Sequence, residues 1–217
     1  MKVIFEDNHI LVIEKPINVP MQKDSSTDMD VIRLAKEYLK KKYNKPGNVY
    51  CGLVHRLDRP VGGVVVLAKT SKAASRLSES VRTNKLNKKY CAVVCGKLPN
   101  ESTLKDYLIK DERTNMSRTT DERHGKYAEL SFKYLSRKDD LTFIQIDLKT
   151  GRSHQIRVQF ASRNCPLFGD QRYNKVAHPG QQIALWATEL SFPHPTTQEI
   201  LSFESPLPKT YPWSLFQ

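Results

Sequence analysis

The sequence predicts a mixed α+β fold, a mainly antiparallel sheet with flanking helices, and three observations carry that prediction. Short segments rich in Val, Ile, Leu and aromatic residues recur along the chain between Gly, Pro, Asn and Asp. Ala128, Leu130, Phe132 and Tyr134 alternate with polar residues, and Leu141 to Lys149 follows across Arg137 to Asp140, as in a hairpin. Apolar residues spaced three and four apart occur in about three places only, so helices are few and lie against the sheet.

In chain order, Val3 to Glu6 and Ile10 to Lys15 form short strands around Asp7-Asn8-His9. Thr27 or Asp28 caps a helix running to about Tyr43, with Ile32, Ala35, Leu39 and Tyr43 as its apolar face and Lys36, Lys40, Lys41 and Lys42 on the rest. Val54 to Arg59 is extended, Pro60 and Gly62-Gly63 interrupt pairing, and Val64 to Leu67 resumes as a buried strand. Ser71 caps a second helix to about Asn84 with Ala74, Leu77 and Val81 inward. Tyr90 to Val94 and Leu104 to Ile109 are strands, and Arg113 to His124 is a basic loop. Gly151 permits a tight turn, Ser153 caps a helix from about His154, and that helix places His154 and Arg157 on one side. Gln182 to Phe192 and Glu199 to Phe203 close the sheet. No internal repeat appears, so residues 1–217 are expected to form a single domain.

Composition narrows the function. With 39% apolar and 27% charged residues the chain is that of a globular protein, and no run approaches the roughly 20 apolar residues of a membrane span. The start M-K-V-I-F-E-D lacks a signal-peptide core, and Cys51, Cys91, Cys95 and Cys165 form no C-x-x-C pair, so a cytoplasmic protein with reduced thiols is expected. Lys and Arg number 35 against 23 Asp and Glu, a formal charge of +12, which favours a polyanionic partner such as RNA. A phosphate-binding G-x-x-x-x-G-K-S/T, an H-E-x-x-H metal motif and a G-x-S-x-G nucleophile elbow are all missing.

What remains is a carboxylate among arginines. The stretch Cys51 to Thr70, C-G-L-V-H-R-L-D-R-P-V-G-G-V-V-V-L-A-K-T, sets Asp58 between Arg56 and Arg59. In extended backbone Arg56 and Asp58 share one face, with His55 and Leu57 on the other. A lone Arg-x-Asp is most often an ion pair closing a turn, so context decides its meaning. A carboxylate kept ionised by a guanidinium can also act as a nucleophile, and Arg56, Arg152 or Arg157 could supply that charge. An aromatic such as Tyr90 could hold a base splayed from RNA, although half-buried strand packing is its commonest role.

The motifs H-R-L-D-R-P-V-G-G-V-V-V-L-A-K-T, N-K-K-Y-C-A-V-V-C-G and T-G-R-S-H-Q-I-R-V-Q-F-A with the later P-L-F-G-D-Q-R-Y resemble, in order and spacing, the three motifs of the RluA family of RNA pseudouridine synthases. The opening F-E-D-N-H-I-L-V-I-E-K-P is similar to the entry strands of that family. The resemblance spans about Val3 to Phe203. It implies that Asp58 is the nucleophile, that Tyr90 stacks on the base and takes part in proton transfer, and that Arg157 pairs with the aspartate. It implies base flipping and RNA contact for Arg56, with Arg59, Arg152, His154 and Gln155 facing RNA or supporting the site. The partner implied is RNA, tRNA or rRNA, with no cofactor, no metal and no obligate protein partner. Gly62, Gln159 and Asn164 depart from the usual family residues. Relatives often carry an S4 RNA-binding module ahead of this body, whereas here the chain is expected to lack one. Target choice then falls to the loops Asn18 to Ser26, Arg113 to Lys126 and Asn174 to Gln181. Two competing readings are an inactive RNA-binding module of the same fold and a metal-independent RNA hydrolase using His55 or His154.

Overall fold

A computed structural model describes residues 1–24 and 27–217. Ser25 and Ser26, which end the first expected recognition loop, lie outside the described residues. Along the chain the elements are β1 (Lys2–Glu6), β2 (Ile10–Lys15), α1 (Val31–Lys42), β3 (Gly52–Leu53), β4 (Gly62–Ala68), α2 (Ser71–Arg82), β5 (Asn87–Cys95), β6 (Glu101–Asp111), β7 (Met116–Thr120), β8 (Lys126–Lys138), β9 (Leu141–Leu148), α3 (Gln155–Ala161), β10 (Leu185–Pro193) and β11 (Ile200–Glu204). They fall into two compact units, one of Met1–Asn87 with Ala187–Pro206, the other of Lys88–Trp186 with Leu207–Gln217.

In the first unit the strand order is β1-β2-β4-β10, with β11 on β10 and β3 on β4. The pairs β1–β2, β2–β4, β3–β4 and β10–β11 are antiparallel. Every residue of β4 is buried, which explains why V-V-V-L-A reads as an unbroken apolar run and not as an alternating one. Ile10, Val12, Val64, Val66 and Ala68 pack with Ala73 and Leu77 of α2 and with Leu190 and Phe192 of β10.

The helix ends differ from expectation by a residue or more. Asp30, not Thr27 or Asp28, caps α1 by accepting from Arg33 N at 3.0 Å, and Thr70, not Ser71, caps α2 by accepting from Ala73 N at 3.1 Å. Each true cap is a short polar acceptor one residue before the first helical turn. Gly62 and Gly63 lie inside β4 and do not interrupt it. Gly63 has φ +117, and a Cβ there would sit 2.2 Å from the Ala187 carbonyl oxygen, so it is the close passage of β10 that requires glycine.

Glu6 ties the N-terminal strand to α1. Its carboxylate takes Lys42 Nζ and Lys69 Nζ at 2.7 Å each, Tyr43 OH at 2.6 Å and Tyr38 OH at 2.9 Å. Burial alone would raise its pKa, but these four donors prevail and hold it at about 2, below the usual 4.5.

The strands of the second unit are antiparallel in the order β5-β9-β8-β6-β7. The expected hairpin is β8–β9, turned at Asp139 in the left-handed region. The expected Arg113–His124 loop instead contains β7, which pairs with β6 from Tyr107↔Thr120 to Asp111↔Met116. Its M-S-R-T-T sequence lacks alternation because β7 ends the strand order and buries only Ser117. Nor is the segment strongly basic, since Arg113, Arg118 and Arg123 stand beside Asp121 and Glu122. Cys91 sits in a core cluster with Val93, Phe143, Ala184, Trp186 and Trp213, as the packing reading of that thiol expects.

Two variants test these features. Gly63→Ala is expected to cost about 3 kcal/mol or more in urea unfolding, combining strain at positive φ with overpacking, whereas Gly47→Ala, with open space around it, stays within about 0.5 kcal/mol of the parent. Because the folded-state pKa of Glu6 lies below its ordinary value, its stabilisation is complete above 4.5 and is lost as the pH falls toward about 2. In denaturation followed across that range, Glu6→Gln should flatten the acid-side loss; an unchanged slope would contradict the tie.

Candidate functional site

The first unit supplies the turn that carries Asp58. Pairing stops after Leu53 and resumes at Gly62, so residues 54–61 run as a loop where an extended segment was expected. Exposure does not alternate across it: Arg56 is exposed, Leu57 buried, Asp58 half-buried and Arg59 exposed. The Asp58 carbonyl accepts from Val61 N at 3.0 Å, closing a β-turn with Pro60 inside it.

A residue to which the sequence reading gave no role holds this turn. Lys15, at the end of β2, is 0% exposed. Its ammonium donates to three backbone carbonyls, Pro16 O at 2.9 Å, Arg59 O at 2.9 Å and Val61 O at 2.7 Å. Three N–H groups meet three acceptors, the requirement for burying a lysine. Burial pushes its pKa down to about 7, Asp58 pulls it upward, and Arg59 adds a smaller push downward.

Neighbouring groups are committed within the same unit. Arg59 Nε donates to Asn18 O at 3.2 Å and Nη1 to Asp24 Oδ2 at 3.4 Å, while Nη2 bonds Asp28. Arg59 therefore fastens Asn18, Asp24 and Asp28 to the turn. His55 Nε2 accepts from Val66 N at 3.1 Å, which occupies the lone pair that a hydrolytic base would need. Arg56 is exposed and makes no hydrogen bond or ion pair with any described residue.

In the second unit Tyr90 lies in β5 opposite Ile146 of β9 and is buried, more deeply than half-buried strand packing would place it. The Thr150 to Ala161 motif forms the turn before α3 and α3 itself. Ser153 does not cap the helix. His154 occupies the cap position with φ 52, a left-handed conformation that histidine adopts more readily than most residues. Gln155 fastens the turn that precedes the helix: its Oε1 accepts from Arg152 N at 3.0 Å and Thr150 Oγ1 at 2.7 Å, and its Nε2 donates to Glu129 O and Gln159 Oε1. Grouped in the sequence with RNA-facing residues, Gln155 is instead turned inward with its amide satisfied. Arg152 is exposed, with Nε donating to Tyr127 O at 2.8 Å.

Arg157 is buried and gripped by a partner to which the sequence reading assigned no role. Its Nε and Nη2 donate to the two oxygens of Asp170 at 2.8 and 2.7 Å, a bidentate pair whose side chains are 4% and 0% exposed. The guanidinium lies over the Tyr173 ring, 5.1 Å from its centroid. Tyr173 OH is 2.8 Å from His154 Nδ1, so the expected shared side of His154 and Arg157 is real and both meet Tyr173.

The three departures from the family pattern have local structural roles. Gly62 is buried in β4. Gln159 donates to Leu104 O and Asp106 Oδ2, joining α3 to β6. Asn164 has φ 57 just after α3, where glycine or asparagine is favoured.

A family model described as RNA pseudouridylate synthase matches residues 9–162. Among curated proteins, the chain is 32% identical over 219 residues to ribosomal large subunit pseudouridine synthase C of Buchnera aphidicola from Schizaphis graminum, covering 94% of this chain and 67% of the relative. It is 30% identical to synthase D of Nitrosomonas europaea, covering 96% of this chain and 62% of that one. Among solved structures, human RNA pseudouridylate synthase domain containing 4 superposes with a TM-score of 0.83 at 21% identity, over 99% of this chain and 92% of that chain, a likeness of fold.

Lys15→Met should destabilise the protein by about 3–5 kcal/mol, since it strands buried carbonyls at Arg59 and Val61 without an N–H donor. Equilibrium unfolding in urea checks this, and a variant as stable as the parent would remove Lys15 from its role.

Proposed function

The chain belongs to the RNA pseudouridylate synthase family, and from that premise we propose that it isomerises specific uridines of rRNA or tRNA to pseudouridine with Asp58 as the nucleophile. In this reaction the N1–C1′ bond breaks, C5 bonds to C1′, C5 loses its proton and N1 gains one. Asp58 attacks C1′, assists glycosidic cleavage through a glycal-type intermediate, or adds to C6, and all three routes need an ionised carboxylate held still.

The observation that carries the reading is the Asp58 turn. It is closed by its own backbone hydrogen bond and fixed from beneath by the Lys15 ammonium, with exposed Arg56 two residues before the carboxylate. Arg56 then enters the stack as the base leaves it, a step that costs a few kcal/mol and is required because C1′ and C5 of a stacked uridine are out of reach. Tyr90 is the aromatic that faces the base, and Arg157 is the cationic group that the family pattern assigns to the reaction. Arg152 and His154 follow as RNA-side supports. Arg59, held by Asp24 and Asp28, positions the turn.

Ribosomal large subunit synthases C and D among the relatives favour rRNA as the substrate, which carries with it a cytoplasmic site of action. Excess positive charge supplies the sequence-independent part of RNA affinity.

Asp58→Ala and Asp58→Asn are expected to lower tritium release from RNA labelled at uridine C5 by about 10⁴-fold or to background, with the fold intact by circular dichroism. Release persisting at the parent rate would sink the nucleophile assignment. Absence of release by the unmutated protein on ribosomal and transfer RNA would favour an inactive RNA-binding module.

A further inference from the structure

We propose that Tyr173 is a positioning residue for the reaction, the aromatic face that fixes the plane of the Arg157 guanidinium; this rests on the role proposed above for Arg157. A bidentate pair with Asp170 fixes two nitrogens of the guanidinium, yet the group can still rock about the line joining them. A ring against its flat face removes that freedom. The Tyr173 ring, 5.1 Å from Arg157 Cζ, lies on that face.

The ring itself is immobilised from three directions. Its hydroxyl accepts from Ser117 N at 2.8 Å, a backbone donor at the start of β7. The same hydroxyl is 2.8 Å from His154 Nδ1, and the two rings meet edge to face at 5.6 Å and 81°. A hydroxyl has one proton and two lone pairs, so both contacts are satisfied together. On its flank the ring packs against the cluster of Leu108, Ala128 and Val158.

Asp170 and Tyr173 act from one turn. Tyr173 N and Asn174 N donate to Asp170 O at 3.2 and 2.8 Å, and Arg172 N donates to Asp170 Oδ1 at 3.1 Å. Arg172 Nη1 also reaches Asn115 O at 2.9 Å, tying this turn to the β6–β7 hairpin. One short turn thus presents the guanidinium with a carboxylate at its edge and a ring at its face. Here the hydroxyl is spent on holding the ring, and the ring on holding a buried cation.

Tyr173→Leu removes the face, and Tyr173→Phe keeps the face and removes its pins. Tritium release is measured at saturating and limiting RNA, beside the Arg157 Nε–Hε resonance in nitrogen-15 spectra. Tyr173→Leu should lower kcat by roughly tenfold or more with KM for RNA changed less than about threefold, and should shift or broaden that resonance. Tyr173→Phe should give a fall of a few-fold with the same resonance shifted less, and it decides the matter if the leucine variant does not fold. An unchanged kcat in both Tyr173 variants, or an unmoved Arg157 resonance, overturns the proposal. If Asp58→Asn kept parental release, the function proposed above would fail separately, and the Arg157 resonance would still decide whether Tyr173 holds the guanidinium.

Discussion

The Lys15 ammonium is the constraint on which the first unit's Asp58 turn depends. A buried lysine is tolerated only where its three N–H groups find acceptors, and here they find Pro16, Arg59 and Val61. Two of those carbonyls belong to the turn carrying Asp58, so the end of β2 and the turn cannot move apart without exposing a buried charge to an apolar interior. The same contacts oppose each other electrically. Burial lowers the lysine's pKa while the nearby carboxylate raises it.

The second unit solves a similar problem by different means. Arg157 cannot lose its proton, so its burial demands a full counter-charge, and Asp170 provides it in bidentate form. Replacing such a pair by apolar residues is often neutral or favourable for stability. What the pair provides is direction: a guanidinium held by two parallel hydrogen bonds at its edge and a ring at its face points one way. Gln155 and Gln159 extend the same logic through α3, each spending its amide on neighbouring polar groups so that the helix carrying Arg157 is fixed against β6.

Much of this architecture was legible beforehand. Alternation at Ala128 to Tyr134 located β8, the apolar run after Gly63 located β4, and three-and-four spacing located α1 and α2. Failures fell where local pattern carries no information. An edge strand such as β7 has little face to bury and so shows no alternation. Caps such as Asp30 and Thr70 compete with equally polar neighbours, and only backbone geometry chooses among them. Ser153 looked like a cap, but the turn before α3 is satisfied by Gln155 from inside the helix.

Sequence by itself pointed to the family and its reaction class. Motif order placed Asp58, Tyr90 and Arg157 in the pattern of one family, and excess positive charge pointed to RNA, because residue type and spacing are what a motif records. Tertiary structure alone decided what holds those groups in place. Lys15 lies 43 residues before Asp58, and Asp170 and Tyr173 lie 13 and 16 residues after Arg157. No helical or strand period links such separations. Only the folded backbone brings a buried cation to its carbonyls, a carboxylate to a guanidinium's edge and a ring to its face.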